Sequence, residues 1–395
     1  MKAVVVGAGI GGLAAGLALS RVGWEVTVLE QAQELSEVGA GLQISPNGTK
    51  VLEALNLMEA LAPVCFEPEF IRLSMGRTGR KIFELPMKGY AERRWGAKYM
   101  HVHRADLHRV LAERLAHATG GEIRTGAKVT GYVREQGGAS VYLQDGSRVF
   151  GDLVIGADGV HSAIRGQMTG SERARFTGYV AWRTTVPISV LKEDAPGPGA
   201  CVWAGAGRHA VTTRIRGGAL VNFVGIVAED RWQEEGWDLT GRRSEALAAF
   251  EGFVPQVISI LHTARELNRW ALFDRPPLGA WSDGPVGLLG DAAHPMVPSM
   301  AQGAVQALED AWVLADCVSS GKDVAEGLGR YFARRRSRTG RIQQRSMENL
   351  ELFHKGGALQ SLATYAPIWA AARLSPALIH ARQDWIYAPD VTKGG

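Results

Sequence analysis

The chain has 395 residues, of which 46 % are hydrophobic and 21 % are charged, so disordered and collagen-like proteins are excluded. Its 44 basic and 40 acidic residues leave a net charge of +4, which is too mild to indicate nucleic-acid binding. The three cysteines, Cys65, Cys201 and Cys317, predict neither a disulfide framework nor a zinc site, and they fit a reducing cytoplasm.

The first thirty residues predict a βαβ unit with parallel strands. Lys2–Val6 is a short buried strand, 7–12 a glycine-rich turn, 13–22 an apolar helix and 25–30 a second strand. The uncharged stretch 3–20 superficially resembles a signal peptide or a membrane span. Its five glycines favour a strand, a turn and a helix instead, since glycine costs about 1 kcal/mol in a helix interior. No later segment is apolar and long enough to cross a membrane.

Beyond this unit, helices and strands alternate as far as residue 155. In chain order they are a helix at 51–62, a hairpin at 68–86, a strand at 99–103, a helix at 106–118, strands and turns over 123–152, and a buried strand at 153–155. Residues 178–228 are β-prone segments separated by proline and glycine, which predict an antiparallel sheet inserted into the α/β fold. A buried strand follows at 286–289, and the chain from Ala301 onward is mostly helical.

The predicted fold is therefore α/β with an inserted sheet: a Rossmann-like dinucleotide-binding domain, an antiparallel-sheet substrate domain and a C-terminal helical region. The first is discontinuous, over 1–70, 98–177 and 275–325. The second covers 71–97 and 178–274, and the third covers 326–395. The arginine-rich run at 334–341 lies in the helical region and lacks interleaved aromatics, so it predicts a solvated helix face.

One dinucleotide motif stands out at residues 7–12, which match G-x-G-x-x-G between a strand and a helix. Glycines let the backbone approach a pyrophosphate, the helix N-terminus offers N–H groups, and Glu30 at the end of the next strand can accept ribose hydroxyls. Glu30 also disfavours a 2′-phosphate, which leaves FAD and NAD open. Residues 205–210 match G-x-G-x-x-A, but β-prone residues follow, so they predict a strand connection.

Two further clusters follow buried strands. Asp158 and His161 belong to the cluster at 156–165, and Asp291 and His294 belong to the cluster at 290–295. Each places an acidic residue at the carboxyl end of a strand, where open α/β sheets bind ligands. Each aspartate taken singly could instead be a helix N-cap. His294 is interpreted as a structural histidine.

These motifs together resemble the single-component FAD-dependent aromatic hydroxylases, in the branch similar to salicylate hydroxylase and 3-hydroxybenzoate 6-hydroxylase. The resemblance covers nearly the whole chain. Besides the three clusters it includes residues 39–47, 103–107, 178–183, 301–304, 309–311 and 384–387.

The resemblance implies a tightly but non-covalently bound FAD and NAD(P)H as a transient co-substrate. Gly9 and Gly12 would pack on the pyrophosphate, Glu30 would hold the adenosine ribose, and Asp291 the ribityl chain. The helix beginning at Gly303 would point at the flavin pyrimidine, where its N–H groups stabilise the charge of the reduced ring. The implied cofactor-binding residues are Gly7, Gly9, Gly12, Glu30, Gln31, Gln43, Arg104, Asp158, Asp291, Gly303 and Ala304. With one dinucleotide site, the nicotinamide cofactor would visit the flavin domain transiently.

The implied reaction is hydroxylation of a small aromatic, phenolic acid-like substrate by O₂ through a flavin C4a-hydroperoxide. A base that ionises the phenol is expected, and His209 aligns with the pocket-lining His-x-x-x-Tyr pattern of the family. This chain has Thr213 at the tyrosine position, which predicts a roomier or differently polar pocket. The substrate-binding candidates are Gln43, Cys201, Thr213, Pro298 and Met300. Each of these, His209 included, could instead serve packing alone.

Two alternatives stay open at this stage: hydroxylation of an N-heterocycle such as a urate-like or pyridine-like ring, and a non-catalytic flavin-binding redox sensor. A disulfide reductase is disfavoured because the chain has no Cys-x-x-Cys motif, and a metal-dependent oxygenase because no ligand cluster is evident. We expect a cytoplasmic protein without a metal, a membrane span or a nucleic-acid partner, and a homodimer stays open.

Overall fold

The computed structural model describes residues 1–35, 40–170, 174–230, 241–321, 323–355 and 358–394. Gly39, which begins the 39–47 motif, lies outside them. The strands are β1 (Lys2–Val6), β2 (Glu25–Leu29), β3 (Gly41–Ile44), β4 (Phe70–Met75), β5 (Lys81–Pro86), β6 (Met100–His103), β7 (Gly121–Arg124), β8 (Val129–Glu135), β9 (Gly138–Leu143), β10 (Arg148–Gly151), β11 (Leu153–Gly156), β12 (Arg175–Pro187), β13 (Ala200–Gly205), β14 (Arg208–Ile215), β15 (Leu220–Ala228), β16 (Asn268–Asp274), β17 (Ser282–Asp283) and β18 (Val286–Leu288). The helices are α1 (Ile10–Arg21), α2 (Pro46–Ala54), α3 (Met58–Leu61), α4 (Tyr90–Trp95), α5 (Arg104–Ala116), α6 (Ala163–Thr169), α7 (Arg243–Ala249), α8 (Pro255–Thr263), α9 (Gly303–Ser319), α10 (Val324–Phe353), α11 (Ala358–Leu374) and α12 (Pro376–Tyr387).

A six-stranded sheet in the order β17-β18-β11-β1-β2-β7 forms the centre of the α/β part. Its pairs are parallel except for the β17–β18 edge, as the predicted βαβ unit requires. β1 and β11 are buried along almost their whole length, because α1, α5 and α9 cover the sheet with Leu, Val and Ala side chains. The sheet therefore presents the carboxyl ends of β1, β2, β11 and β18 at one edge.

A second sheet has seven strands in the order β16-β12-β15-β14-β13-β4-β5. The predicted antiparallel pairing is correct for all neighbours except one: β4 runs parallel to β13. β13 and β14 form a hairpin, so residues 205–210 are a strand connection, as predicted. α7 and α8 cover one face of this sheet through an apolar cluster that includes Trp182, Phe223 and Phe250. The precise limits of the predicted domains stay a prediction.

The predicted helix at 51–62 is wrong in its bounds. The helix begins earlier, at Pro46 of α2, and stops at Ala54 before the short α3. The signal that was missed is Pro46 at the first position of α2. Proline is favourable there because the N–H that it lacks would have no partner within the helix. Within the described residues, we find no helix of the length and apolar character needed to span a membrane.

The arginine run on α10 is a solvated face only in part, since Arg334, Arg336 and Arg341 are exposed whereas Arg335 and Arg338 are not. Arg335 is 1 % exposed, and its guanidinium pairs with the fully buried carboxylates of Glu309 and Asp310 on α9. Arg338 pairs with Glu309 as well and donates to the backbone oxygens of Trp385 and Ile386. For Arg335 and Arg338 the prediction was wrong, because α10 packs against α9 along the side that carries these two residues. Only the contacts between the two helices show this burial.

Candidate active site

The motif residues converge at the carboxyl edge of the six-stranded sheet. Gly7 follows β1, Glu30 follows β2, the cluster with Asp158 follows β11, and the turn with Asp291 follows β18. Since these strands are neighbours and parallel, their ends open onto common space. The spacing along the chain therefore translates into one candidate ligand site.

The glycines of the 7–12 motif have different structural roles, because one lines a cavity and two allow close packing of the backbone. Gly9 is the N-cap of α1 and lines a cavity, and no protein atom lies within 4 Å of where its Cβ would be. A Cβ on Gly12 would lie only 1.9 Å from the carbonyl oxygen of Gly7, and one on Gly7 would lie 2.6 Å from that of Ala157. Gly9 thus faces the site. Gly12 lets the helix pack on the turn, and its contact with a pyrophosphate stays a prediction.

Glu30 lies directly beside this turn. Its Oε2 accepts the N–H of Ala8 at 2.8 Å, and its Oε1 accepts the N–H of Ala32 at 2.9 Å. These bonds orient the carboxylate at the end of β2, where it can also receive ribose hydroxyls. Gln31 is exposed next to it.

Asp158 binds the start of α6, a helix whose N-cap is Ser162. Its Oδ2 accepts the N–H groups of Ala163 at 2.8 Å and Ile164 at 3.3 Å, at the start of α6. Its Oδ1 is buried and has no hydrogen-bond partner among the described residues. Burial raises the pKa of the Asp158 carboxyl, although these hydrogen bonds oppose the shift. Ala157 and Gly159 line the cavity, but Asp158 itself contributes through the helix start that it binds.

Two connected spaces lie above the sheet edge. We call the first, of about 310 Å³, the inner cavity; it extends from Gly9 and Gly303 to His209 on β14. The second, of about 720 Å³, is the outer cleft, which runs along β16 and past Trp270. The residues lining both are Arg104, Arg183, Asp291, Met296 and Pro298.

Two arginines meet where these spaces join. Arg104 is the first residue of α5, and Arg183 projects from β12 with its guanidinium 4.0 Å from the centre of the Trp270 ring. Desolvation, followed by the nearby charge of Arg104, lowers the pKa of Arg183 to about 9. Two crowded guanidiniums favour an anion between them, such as a pyrophosphate. Sequence reasoning gave Arg183 no role, although it ends the 178–183 motif.

Asp291 is held by a buried carboxylate beneath it. Asp310 Oδ2 accepts the N–H of Gly290 at 3.2 Å and pairs with Nε2 of His294 at 2.5 Å. These contacts fix both ends of the turn 290–294, so Asp291 projects into the cleft. Desolvation raises the pKa of Asp291, and His294 and Arg104 oppose this shift. The interpretation of His294 as structural agrees with this placement.

The N-terminus of α9 opens onto the inner cavity through Gly303 and Ala304. This 17-residue helix directs its unpaired N–H groups and the positive end of its dipole toward the space. Ala301 precedes it with φ +52°, an unfavourable conformation for a residue with a Cβ, and it lines the cavity as well. The helix start is therefore suited to stabilise negative charge on a bound ring.

His209 lies at the opposite end of the inner cavity and is fully buried. Its Nδ1 is 2.7 Å from Nε2 of His354, at the end of α10. Burial, followed by the charge of His354, lowers the pKa of His209 well below its ordinary value of 6.5. His209 is therefore a neutral imidazole at neutral pH and is able to accept a proton. Sequence reasoning missed His354 because 145 residues separate the two histidines.

Three of the predicted substrate contacts line a small chamber of about 130 Å³ that adjoins the inner cavity: Gln43, Pro298 and Met300. Tyr99 donates its hydroxyl to Gln43 Oε1 at 3.0 Å, which orients the Gln43 amide. Thr213 acts indirectly, since its Oγ1 accepts a hydrogen bond from Asn222, a cavity-lining residue.

The prediction that Cys201 contacts the substrate is corrected. Cys201 pairs with Thr212 in the hairpin, and Val202 pairs with Val211, so Cys201 lies on the opposite face from the cavity-lining Val211. There it packs in the apolar cluster under α7 and α8, and burial raises the pKa of its thiol to about 11. A substrate contact is not supported, because the alternation of side chains along β13 directs Cys201 away from the cavity.

Residues 1–346 match the model of the FAD binding domain family. The chain belongs to this family. The Gly9 turn, Glu30, the arginine pair and the start of α9 fit FAD, because they offer an open backbone approach, a ribose acceptor, cations for a pyrophosphate and N–H groups for the flavin.

Characterised relatives of this FAD-binding chain are monooxygenases. It is 37 % identical over 354 residues to the 3-amino-4-hydroxybenzoate 2-monooxygenase of Streptomyces platensis, covering 89 % of this chain and 88 % of that protein. It is 34 % identical over 393 residues to the 3-hydroxybenzoate 6-hydroxylase of Polaromonas naphthalenivorans, covering 99 % and 96 %. The chain is thus an FAD-dependent monooxygenase of the single-component aromatic hydroxylase type.

Among solved structures, the chain is similar to HpxO of Klebsiella pneumoniae in complex with FAD and uric acid. The TM-score is 0.86, the sequence identity is 28 %, and the alignment covers 98 % of this chain and 97 % of that one. The similarity extends over the whole FAD-binding chain, including the seven-stranded sheet and the C-terminal helices.

Proposed function

We propose that this monooxygenase hydroxylates a small aromatic substrate with a phenolic, acid-like ring, using NAD(P)H and O₂. One observation carries the proposal: the start of α9, the Gly9 turn and His209 all line the same inner cavity. A flavin ring held by the first two would have its substrate beside a neutral histidine. When bound, FAD would accept reducing equivalents from the nicotinamide nucleotide and activate O₂.

The residues of the chain have three tasks in this scheme. Arg104 and Arg183 bind the phosphate groups, and the N–H groups of α9 stabilise charge on the pyrimidine side of the ring. Gln43, Pro298 and Met300 orient the substrate and exclude water from the small chamber. His209 removes the proton of the ring hydroxyl, because a phenolate is a far better nucleophile than a phenol.

The nicotinamide nucleotide would visit the outer cleft and leave again. Within the described residues only the turn at 7–12 matches G-x-G-x-x-G and leads from a strand of the parallel sheet into a helix, and FAD would use it. The outer cleft shares its arginines with the inner cavity and has more than twice its volume. A homodimer stays a prediction, which size-exclusion chromatography of the holoenzyme tests.

The test is a screen of hydroxybenzoates, aminohydroxybenzoates and hydroxypyridine carboxylates with the FAD-loaded enzyme. We expect one class to stimulate NADH or NADPH oxidation and oxygen uptake and to give a hydroxylated product by mass spectrometry. Stimulation that yields only hydrogen peroxide would identify a non-substrate effector. If no compound of the panel stimulates NADH or NADPH oxidation, the proposal is contradicted.

A second candidate function is hydroxylation of a fused N-heterocycle, and the similarity to the uric acid complex favours it. Uric acid and related purines therefore belong in the same screen. A heterocycle that gives product while all phenolic acids fail would select this alternative. The redox-sensor alternative is set aside, because relatives matched along about nine-tenths of the chain are enzymes.

A further inference from the structure

His209 and His354 form an isolated pair of imidazoles that joins the inner cavity to the end of α10. The Nδ1 of His209 and the Nε2 of His354 are 2.7 Å apart, and the two ring centres are 4.9 Å apart. The ring of Phe353 packs on His209 and that of Tyr179 packs on His354. The N–H of Gly207 donates to the His354 carbonyl at 3.0 Å, which fixes this helix end to the β13–β14 turn.

Each imidazole has a second nitrogen that does not take part in the contact between the two rings. The Nε2 of His209 and the Nδ1 of His354 are buried and have no hydrogen-bond partner among the described residues. An unsatisfied buried polar atom costs about 1–3 kcal/mol, so both atoms are suited to receive a partner that binds later. For His209 that partner would be a ligand in the cavity that it lines. For His354, whose residue as a whole is half-buried although Nδ1 is covered, it would be a water molecule that reaches Nδ1 at the helix end.

Neither ring can store a proton. Burial lowers the pKa of His354 to about 4, and burial, followed by the charge of His354, lowers the pKa of His209 well below its ordinary value. Among the described residues, Tyr179 of β12 packs on the pair, and Glu351 and Lys355 lie next to His354 along the chain, Glu351 being close enough to Tyr179 to influence its charge. The strands flanking His209 place the apolar Ala204 and Ile226 opposite it. A proton that enters this pair must therefore pass through it.

We infer that His354 acts through His209 as the outer member of a proton relay that ionises the substrate. The inference rests on the proposed function. The substrate O–H bond breaks as an N–H bond forms at His209 Nε2, and the Nδ1 proton of His209 moves to His354 Nε2. The Nδ1 proton of His354 passes to water, so a phenol becomes a phenolate and neither imidazole keeps the charge. Reprotonation of the product follows the same path in reverse.

This scheme commits the resting enzyme to one tautomer: His209 carries its hydrogen on Nδ1 and donates it to His354. Nitrogen-15 NMR of the histidine-labelled holoenzyme reads this directly and needs no substrate. We expect an unprotonated His209 Nε2 in the wild type, with the assignment made from a His209→Gln variant. A hydrogen on Nε2 of His209 would overturn the relay whatever the outcome of the substrate screen.

The kinetic test uses His354→Phe and His354→Gln, with Tyr179→Phe as the matched control for the ring contact on His354. After a pH jump on the oxidised holoenzyme with a bound phenol from the screen, phenolate absorbance reports loss of the proton. We expect both His354 variants to slow this step by at least about tenfold, at the low end of a positioned acid–base group. Tyr179→Phe should match the wild type.

Turnover gives a further readout. Flavin reduction by NAD(P)H should be unchanged in the His354 variants, whereas product per NAD(P)H falls and its pH profile shifts to higher pH. Unchanged proton loss and pH profile in both variants, with normal FAD content and melting temperature, would overturn the relay. If no aromatic compound stimulates the wild type, the proposed function fails instead, and the NMR tautomer still decides the geometry of the pair.

Discussion

Arg335 and Asp310 form an ion pair in which Nε and Oδ1 are 2.7 Å apart and both side chains are at most 1 % exposed. The other oxygen of Asp310 holds the turn that carries Asp291, through Gly290 and His294. A guanidinium buried on α10 thus supports a residue that projects into the cleft. The position of Asp291, a proposed cofactor-binding residue, therefore depends on a charge buried between α9 and α10.

Removing that guanidinium should destabilise the protein. Arg335→Met removes the guanidinium from both buried carboxylates and leaves Glu309 with Arg338 alone and Asp310 with His294 alone. Breaking a buried ion pair costs about 3–5 kcal/mol. Urea unfolding of the holoenzyme measures the loss. Arg336→Met is the matched control, since Arg336 is exposed one residue away, and it should change the free energy of unfolding by less than about 0.5 kcal/mol. Equal stability of the two variants would contradict the buried network.

The same network predicts acid sensitivity. Burial alone would raise the pKa of Glu309, but Arg335 and Arg338 hold it at about 2, below the ordinary value of 4.5. A carboxyl whose folded pKa is depressed stabilises the fold above its unfolded pKa, and this stabilisation is lost as pH falls toward the folded value. Stability should therefore decline between pH 4.5 and about 2. In Glu309→Gln this part of the decline should disappear, which melting temperatures across that range will measure.

The two glycines of the turn should respond differently to alanine. Gly12→Ala places a methyl 1.9 Å from the Gly7 carbonyl and should cost stability, by about 3 kcal/mol or more. Gly9→Ala meets no protein atom, so the fold should survive while FAD binding weakens. Melting temperatures of the apoproteins and FAD titrations separate the two effects. A Gly12→Ala protein that keeps its stability but loses FAD affinity would contradict the packing role and would support a direct contact of Gly12 with the cofactor.

Arg183→Met should weaken FAD binding by about 10- to 100-fold, since a charge-assisted hydrogen bond is worth about 1.5–3 kcal/mol. Flavin fluorescence during titration of the apoprotein measures the affinity. Arg208→Met is the control from the same sheet, because Arg208 donates to the Glu251 carbonyl and does not line the inner cavity. Similar losses in both variants would indicate a general effect of removing an arginine.

His209→Ala should slow product formation by about 10²- to 10⁴-fold and leave FAD binding intact, as expected for loss of a positioned base. Single-turnover product analysis at several pH values measures this rate. Cys201→Ala is the matched control, because Cys201 lies on the other face of the same hairpin, and it should preserve substrate affinity. Product formation by His209→Ala that is as fast as in the wild type at every pH would exclude His209 as the base.

The cofactor site was predictable because its determinants are local. Gly9, Glu30, Asp291 and Gly303 each follow a strand or begin a helix, and chain order alone brings the carboxyl ends of parallel strands to one edge. The hairpin at 205–210 was predictable for the same reason, since no helix-forming residues follow its glycines. These features depend on neighbours within a few residues.

What the sequence by itself determined is thus the α/β class with its inserted sheet and the FAD cofactor, with the strand ends as the candidate FAD site and His209 as the candidate base. Only the tertiary structure decided that Arg335 is buried, that Cys201 faces away from the cavity, that Arg183 joins Arg104 and that His354 contacts His209. The physical reason is that periodicity identifies the faces of a strand or helix, whereas the partner of each face is set by packing between remote segments. The pair His209–His354, whose members are 145 positions apart in the chain, exists only because α10 ends against β14.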